Sequence, residues 1–286
     1  MLLNPDDYSY QYFKQPRGDD GDSGRIHLAM PKKPGLCQIL VKDYKASDAI
    51  NEFVACNIGQ RIGINTPKAW LFKAKKTNRT INTDPINFAR AVGIEYLEGF
   101  DERKGGSFAT EDLTVQTIWA ELLHILMRET DQRSIAQCNG KIYAFDFADG
   151  MYWQINNEKV LGLFKEWIVG NGFTKYQRLI LDQEVLARRE MRQYFHNLIQ
   201  KGIPGELVYK TYSELRDNIM SVAEKDGFAD LVQEIQDVFS ESIACFVKEL
   251  IGAVCNTMID FLLPEGEYYR TSDGVLVMTS EKPKPF

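Results

Sequence analysis

Four charged side chains, in a fixed order along the chain, are of the types that phosphoryl transfer requires. Lys42 ends an apolar run, ILVK, and Glu52 lies one turn into the helix predicted after it. Asp131 follows a long apolar helix in the segment ETDQR, and Asp146 lies near the end of a second apolar run, AFDF. In kinases a lysine neutralises the nucleotide phosphates, one carboxylate holds that lysine, one orients the acceptor hydroxyl and one binds magnesium. The ordered set therefore predicts an ATP- and magnesium-dependent transferase.

Short strand-forming segments separated by turns position the first two of these residues. The strands are predicted over residues 8–12, 25–30, 37–42, 69–74 and 91–97. Apolar residues recur at helical spacing from Ala49 to Ile62, and Ser47 is predicted to cap that helix. The polar and basic residues 75–87 are predicted to form a surface loop. This part of the chain is therefore expected to be rich in β-strand.

The character of the sequence changes after a Gly-rich connector at residues 101–108. A long amphipathic helix is predicted around Leu113–Leu126, and an Asn139-Gly140 turn precedes a strand over 141–147. Residues 157–263 have an almost wholly helical pattern, and a hairpin is predicted over 268–278. This order predicts an α+β fold, in which a small β-rich part precedes a mostly α-helical part and the boundary lies near residue 98.

Two stretches of the chain resemble the HipA-like kinases. The run ILVKDYKASDAINEFVACNIGQRIGINTPKAWLF is similar to that family's N-lobe, and RETDQRSIAQCNGKIYAFDFADGMYW is similar to its catalytic segment. The resemblance extends over about residues 24–155. It implies a protein-kinase-like two-lobed fold, with an N-lobe at 1–98, a helical C-lobe at 99–286, and the catalytic and metal segment at 128–155.

The resemblance also implies a role for each candidate residue. Lys42 would contact the phosphates of ATP and Glu52 would pair with it, while Asp131 would be the catalytic residue and Asp146 the Mg²⁺ ligand. The acceptor would be a Ser or Thr hydroxyl of a protein, so a protein substrate or partner is expected. The adenine would be bound by the backbone of Glu95, Tyr96 and Leu97.

One departure from the family pattern keeps other functions open. Kinases of this kind usually place a metal-binding Asn five residues after the catalytic Asp, and that position is Ala136 here. The neighbouring Gln137 is the substitute metal ligand that the sequence offers. The alternatives are a phosphoinositide or small-molecule kinase, and a catalytically impaired pseudokinase that acts as an interaction module.

Composition narrows the class of protein further. The net charge of -6 and the pI of about 5.3 disfavour a protein whose main ligand is nucleic acid. Five irregularly spaced cysteines and the absence of a signal-like N-terminus favour the reducing cytoplasm. The most apolar stretch, residues 243–263, contains charged residues, so we expect a buried helix and no membrane span.

Overall fold

The computed structural model describes residues 2–13, 25–43, 46–73, 79–81, 84–99, 106–128, 134–148, 172–261, 268–270 and 276–278. Within these residues the protein is a mixed α+β structure with six helices and an antiparallel sheet of five strands. The α+β class predicted from the order of elements is therefore confirmed.

The five-stranded sheet brings the strand of Lys42 next to the strand that leads into the predicted adenine-binding segment, residues 95–97, which we call the hinge. Its strands, in spatial order, are β1 (Tyr8–Tyr12), β2 (Arg25–Pro31), β3 (Ile39–Asp43), β7 (Ala91–Glu95) and β4 (Ala69–Leu71). In the β3–β7 pairing Lys42 lies opposite Val92, and Ile39 lies opposite Glu95. The lysine and the hinge are thus at opposite ends of this strand pair. At a rise of roughly 3.3 Å per residue they are about 10 Å apart along the strands.

Three smaller pairs of strands complete the β-structure of the described chain. They are β5 (Arg79–Ile81) with β6 (Asp84–Ile86), β8 (Ser134–Cys138) with β9 (Lys141–Phe145), and β10 (Tyr268–Arg270) with β11 (Leu276–Met278). The first pair corrects the prediction of a loop over 75–87, because residues 79–81 and 84–86 form short paired strands. The polar sequence of this segment gave no sign of that pairing. Asn139 and Gly140, with φ of 49° and 78°, make the predicted turn between β8 and β9.

The helices are α1 (Ala46–Arg61), α2 (Glu111–Leu126), α3 (Gly172–Gln200), α4 (Gly205–Glu224), α5 (Ala229–Val238) and α6 (Glu241–Asp260). Thr110 and Ser240 cap α2 and α6 by accepting from the backbone N–H groups of Leu113 and Ile243. The predicted cap of α1 is wrong, since that helix begins at Ala46 and Ser47 lies inside it, where its hydroxyl donates to Asp48.

One apolar core extends from α1 through α2 and β9 to α3, α4, α5 and α6. Phe53 of α1, Leu123 of α2 and Leu250 of α6 are all buried members of it. Asn218 of α4 donates to the carbonyl of Ile62, just after α1, at 3.1 Å. Because α1 shares its core with the helical part, the two-lobed arrangement divided at residue 98 stays a prediction.

Helix α6 contains the segment that composition alone makes most membrane-like. Residues Glu241–Ile259 are long and apolar enough to cross a membrane, but 56% of the segment is buried inside the protein. Its buried side chains include Phe246, Leu250 and Met258, which belong to the shared core. The packing of α6 accounts for its apolar character, as it does for the central helix of many folds.

Two helical glycines provide a test of the packing between α1 and α2. A Cβ at Gly59 would lie 2.6 Å from Cγ2 of Thr66 and 2.9 Å from Cδ2 of Leu123. We expect Gly59→Ala to destabilise the protein by about 1–3 kcal/mol through overpacking. Gly252 of α6 has nothing within 4 Å of such a Cβ, so Gly252→Ala should instead stabilise it by roughly 0.5–1 kcal/mol. Urea unfolding of both variants measures these changes, and equal effects would contradict the close approach of α1 to α2.

Candidate active site around Lys42

The structure brings together three of the four charged residues that the sequence singled out. The Lys42 ammonium, at the end of β3, forms an ion pair with the Glu52 carboxylate of α1. It also contacts Oδ1 of Asp146 at 3.0 Å, although the two residues are 104 positions apart in the chain. One ammonium thus lies between two carboxylates that come from different elements.

The three side chains form a path from the interior to the surface. Glu52 is 1% exposed, Lys42 is 11% exposed and Asp146 is 49% exposed. A fully buried carboxylate needs a counter-charge, and Lys42 supplies it. Asp146 is the member of the set that a ligand from solvent can reach directly.

The different burial of the two carboxylates shifts their pKa values in opposite directions. Burial raises the pKa of Glu52, against the opposing effects of the Lys42 ammonium and the nearby backbone amide of Phe147. The Lys42 ammonium lowers the pKa of Asp146, and this effect outweighs the partial loss of hydration. Asp146 is therefore the carboxylate that is most firmly ionised, as a metal ligand must be.

The three residues that follow β9 are each held by a different contact. Asp146 has a φ of 61°, in the left-handed region that Asp tolerates better than most residues. Phe147 is fully buried, and its ring stacks on His124 of α2 with centroids 4.5 Å apart. The Ala148 carbonyl accepts a hydrogen bond from Nδ2 of Asn51, on α1, at 3.0 Å. These contacts turn the chain sharply and direct Asp146 towards Lys42.

Sequence reasoning missed Asn51 and the stacking role of His124. His124 is fully buried and its Nε2 lies 3.0 Å from the carbonyl of Ser134, so it also fixes the start of β8. The sequence did contain a signal for Asn51, because this polar residue lies next to Glu52 in a helix segment whose other residues are apolar. No signal in the sequence identified Ala148 as its partner.

Two of the three backbone N–H groups in the predicted adenine-binding segment already donate hydrogen bonds within the protein. The backbone N–H of Glu95 donates to the Lys68 carbonyl at 2.8 Å, and that of Tyr96 donates to the Gln38 carbonyl at 3.1 Å. The Glu95 carboxylate accepts from the backbone N–H of Lys68. Among the described residues, only Leu97 of the three has a backbone N–H without a hydrogen bond to another backbone group. The amides of Glu95 and Tyr96 are therefore already paired within the protein, and adenine binding by the backbone of residues 95–97 stays a prediction.

The β8–β9 hairpin connects the hinge segment to the lysine. At its turn, Sγ of Cys138 donates to the carbonyl of Glu98 at 3.3 Å. At its open end Ser134 pairs with Phe145, directly before Asp146. One face of the site therefore extends from the end of β7 to the ion pair at the end of β3.

Gln137 and Ala136 lie on β8, away from Asp146. Gln137 pairs with Ile142, four residues before Asp146, which is about 13 Å along the strand at the usual rise. The register therefore corrects the prediction that Gln137 and Asp146 bind the same metal. Ala136 is fully buried opposite Tyr143. Asp131 lies outside the described residues.

Comparisons with known proteins add little to this geometry. No protein-family model matches the sequence, and no curated protein matches it. The chain is similar to the crystal structure of a Helicobacter pylori proinflammatory kinase, CtkA, with 11% identity over 87% of this chain and 94% of that one. The TM-score of 0.46 is too low to support an argument. The resemblance to HipA-like kinases therefore stays a prediction, and a function for this chain has to rest on the geometry of the site.

The opposite pKa shifts predict opposite effects of pH on stability. A raised pKa means that folded Glu52 binds its proton more tightly than the unfolded chain does. The stabilising contribution of Glu52 is therefore complete below the ordinary pKa of 4.5, and it is lost as the pH rises through the pKa of the folded state. We expect the unfolding free energy of the wild type to fall relative to Glu52→Gln as the pH rises, by at most about 1.4 kcal/mol per pH unit.

Asp146→Asn serves as the matched comparison, since the pKa of Asp146 is lowered. The stabilising contribution of Asp146 is present above its ordinary pKa of 3.8, and it is lost as the pH falls through the pKa of the folded state. The wild type should therefore lose stability relative to Asp146→Asn on acidification. Urea unfolding of the three proteins across the acidic and neutral range measures both slopes, and slopes of the same sign would contradict the arrangement of charges.

Proposed function

We propose that the protein is an ATP- and Mg²⁺-dependent phosphotransferase that acts on a Ser or Thr hydroxyl of a protein substrate. The observation that carries the proposal is the position of Lys42 between the buried Glu52 and the half-exposed Asp146. A buried carboxylate that holds a lysine, beside a second carboxylate open to solvent, is the arrangement that phosphate binding with a metal requires.

Each residue of the site has a distinct part in the proposed reaction. Lys42 would neutralise phosphate oxygens, and Glu52 would keep its ammonium in place. Asp131 would accept the proton of the acceptor hydroxyl and orient its oxygen. The half-exposed, ionised carboxylate of Asp146 suits Mg²⁺, which takes one or two protein carboxylates and completes its shell with phosphate oxygens and water. When bound, the ion supplies neutralisation of the charge on the phosphates.

The hinge and the hairpin suggest the direction in which the nucleotide lies. The adenine would bind near the backbone N–H of Leu97, which follows β7 and makes no hydrogen bond to another backbone group of the described residues. The phosphates would then extend along the β8–β9 hairpin towards Lys42 and Asp146. A cytoplasmic location is part of the proposal, and it suits the five cysteines, none of which forms a disulfide.

A second candidate function is nucleotide binding without phosphate transfer. The observation that favours it is Ala136, which is buried in β8 at the position where the family pattern has a metal-binding Asn. The register also separates Gln137 from Asp146. With Asp146 as the single metal ligand found in the described site, the bound nucleotide would be held but not fully oriented.

Asp146→Asn tests the proposal, since it keeps the left-handed backbone and removes the charge. We expect transfer of radiolabelled phosphate from ATP, to the protein itself or to a general protein acceptor, to fall by at least about 100-fold. The control is Asp237→Asn, on the exposed surface of α5, where the carboxylate contacts only Gln233 among described residues. Asp237→Asn should retain full transfer. Activity that survives both Asp146→Asn and Asp131→Asn would contradict the assignment of these residues.

A thermal shift with ATP and Mg²⁺ separates the two candidates. A nucleotide at about 100 times its Kd stabilises a binding protein by roughly 2.7 kcal/mol. Stabilisation together with transfer supports the kinase, while stabilisation without transfer supports the second candidate. A protein that neither binds nor transfers would contradict both.

A further inference from the structure

We infer that Asn51 is a positioning residue, which holds the Asp146 carboxylate in place from helix α1. Asn51 is 1% exposed, and its Nδ2 donates to the Ala148 carbonyl at 3.0 Å across 97 positions of sequence. Ala148 is only two residues beyond Asp146. The part of this inference that concerns metal use rests on the proposed function, whereas the part that concerns geometry does not.

The position of Asn51 in the helix gives its hydrogen bond a particular effect. Asn51 is adjacent to Glu52, which holds Lys42. One short piece of α1 therefore fixes the ammonium through Glu52 and the chain after the second carboxylate through Asn51. The distance between Lys42 and Asp146 depends on both contacts. Loss of the Asn51 bond would free one side of the turn while leaving the Lys42–Glu52 pair intact.

The backbone at Asp146 explains why such a support is needed. Its φ of 61° lies in the left-handed region, which Asp tolerates better than most residues but less readily than glycine, so neighbouring contacts are needed to hold it there. Phe147 supplies one contact by stacking on His124, and Ala148 supplies another through Asn51. The contacts of Phe147 and Ala148 hold the chain directly after Asp146, and Lys42 contacts the Asp146 carboxylate itself. Together they determine the position of that carboxylate.

Asn57 provides a matched control on the same helix. Its Nδ2 donates to the carbonyls of Phe53 at 2.8 Å and of Ala69, in β4, at 3.2 Å. It thus ties α1 to the edge strand β4 by the same kind of bond, and neither of its two partners is a residue of the site. If Asn51 had only a structural role, replacing Asn51 or Asn57 would have the same effect on phosphate transfer. The two variants would then differ only in which segment of the protein becomes less well held.

The experiment compares Asn51→Ala with Asn57→Ala, and the nearly isosteric Asn51→Leu with Asn57→Leu in case the cavities left by alanine prevent folding. Amide hydrogen exchange by mass spectrometry, on full-length protein without ligand, gives a readout that is independent of activity. Asn51→Ala should make exchange about five- to tenfold faster in the peptide spanning residues 141–148, as expected for one lost hydrogen bond. Asn57→Ala should instead affect the peptide spanning residues 67–73.

The second measurement is the Mg²⁺ dependence of phosphate transfer at saturating ATP. We expect the half-saturating Mg²⁺ concentration to rise roughly 10- to 100-fold for Asn51→Ala, as for other residues that support metal ligands. Asn57→Ala should leave it unchanged even if its melting temperature falls as much. Equal Mg²⁺ dependence of the two variants would overturn the metal part of the inference.

The two measurements also separate this inference from the proposed function. An inactive wild type, in which Asn51→Ala still loosens residues 141–148 selectively, would overturn the proposed function and support the positioning of Asp146. Unchanged exchange of that peptide in both Asn51 variants would overturn the positioning role, whatever the activity of the wild type.

Discussion

The site depends on the ion pair between Lys42 and the fully buried Glu52. A carboxylate removed from water is strongly destabilised unless it is paired, and removing one partner of such a pair costs about 3–5 kcal/mol. This constraint fixes β3 against α1, because the lysine at the strand end must reach the helix. It also attracts Asp146, since the same ammonium is close enough to contact a second carboxylate. A single cation thus links a strand, a helix and the turn after β9.

The rest of the fold supports this link from several sides. Helix α1 is packed into a core that continues through α2 to α6, so it is not an element attached only to the sheet. Asp43, next to Lys42, points the other way and accepts from Arg90 and from the backbone N–H of Asn87. Those contacts hold the turn that leads into β7. The lysine strand is therefore fixed on both faces, which keeps the ammonium at a constant position relative to the hinge.

The parts of this structure that were predictable from sequence are those set by local patterns. Alternation and apolar runs predicted β1, β2 and β3, helical spacing predicted α1 and α2, and Asn139-Gly140 predicted the β8–β9 turn. Chemical type and order then selected Lys42, Glu52 and Asp146, whose meeting the structure shows. Local patterns failed where a distant partner decides the outcome. The register that separates Gln137 from Asp146, the bonds that occupy the amides of Glu95 and Tyr96, and the Asn51–Ala148 bond all join segments far apart in sequence.

The unequal exposure of the two carboxylates decides which contact of Lys42 can be exchanged. Breaking the Lys42–Glu52 pair would leave a buried carboxylate without a counter-charge, so this contact resists competition. The Lys42–Asp146 contact is half-exposed, and ion pairs open to solvent typically contribute only about 0–1 kcal/mol. An incoming phosphate can therefore replace Asp146 at the ammonium without disturbing Glu52. The carboxylate released in this way stays ionised next to the phosphate, and its charge is then available for a cation. In the proposed function, one lysine would hold the carboxylate of Asp146 in place before the nucleotide arrives and would release it when the phosphate binds.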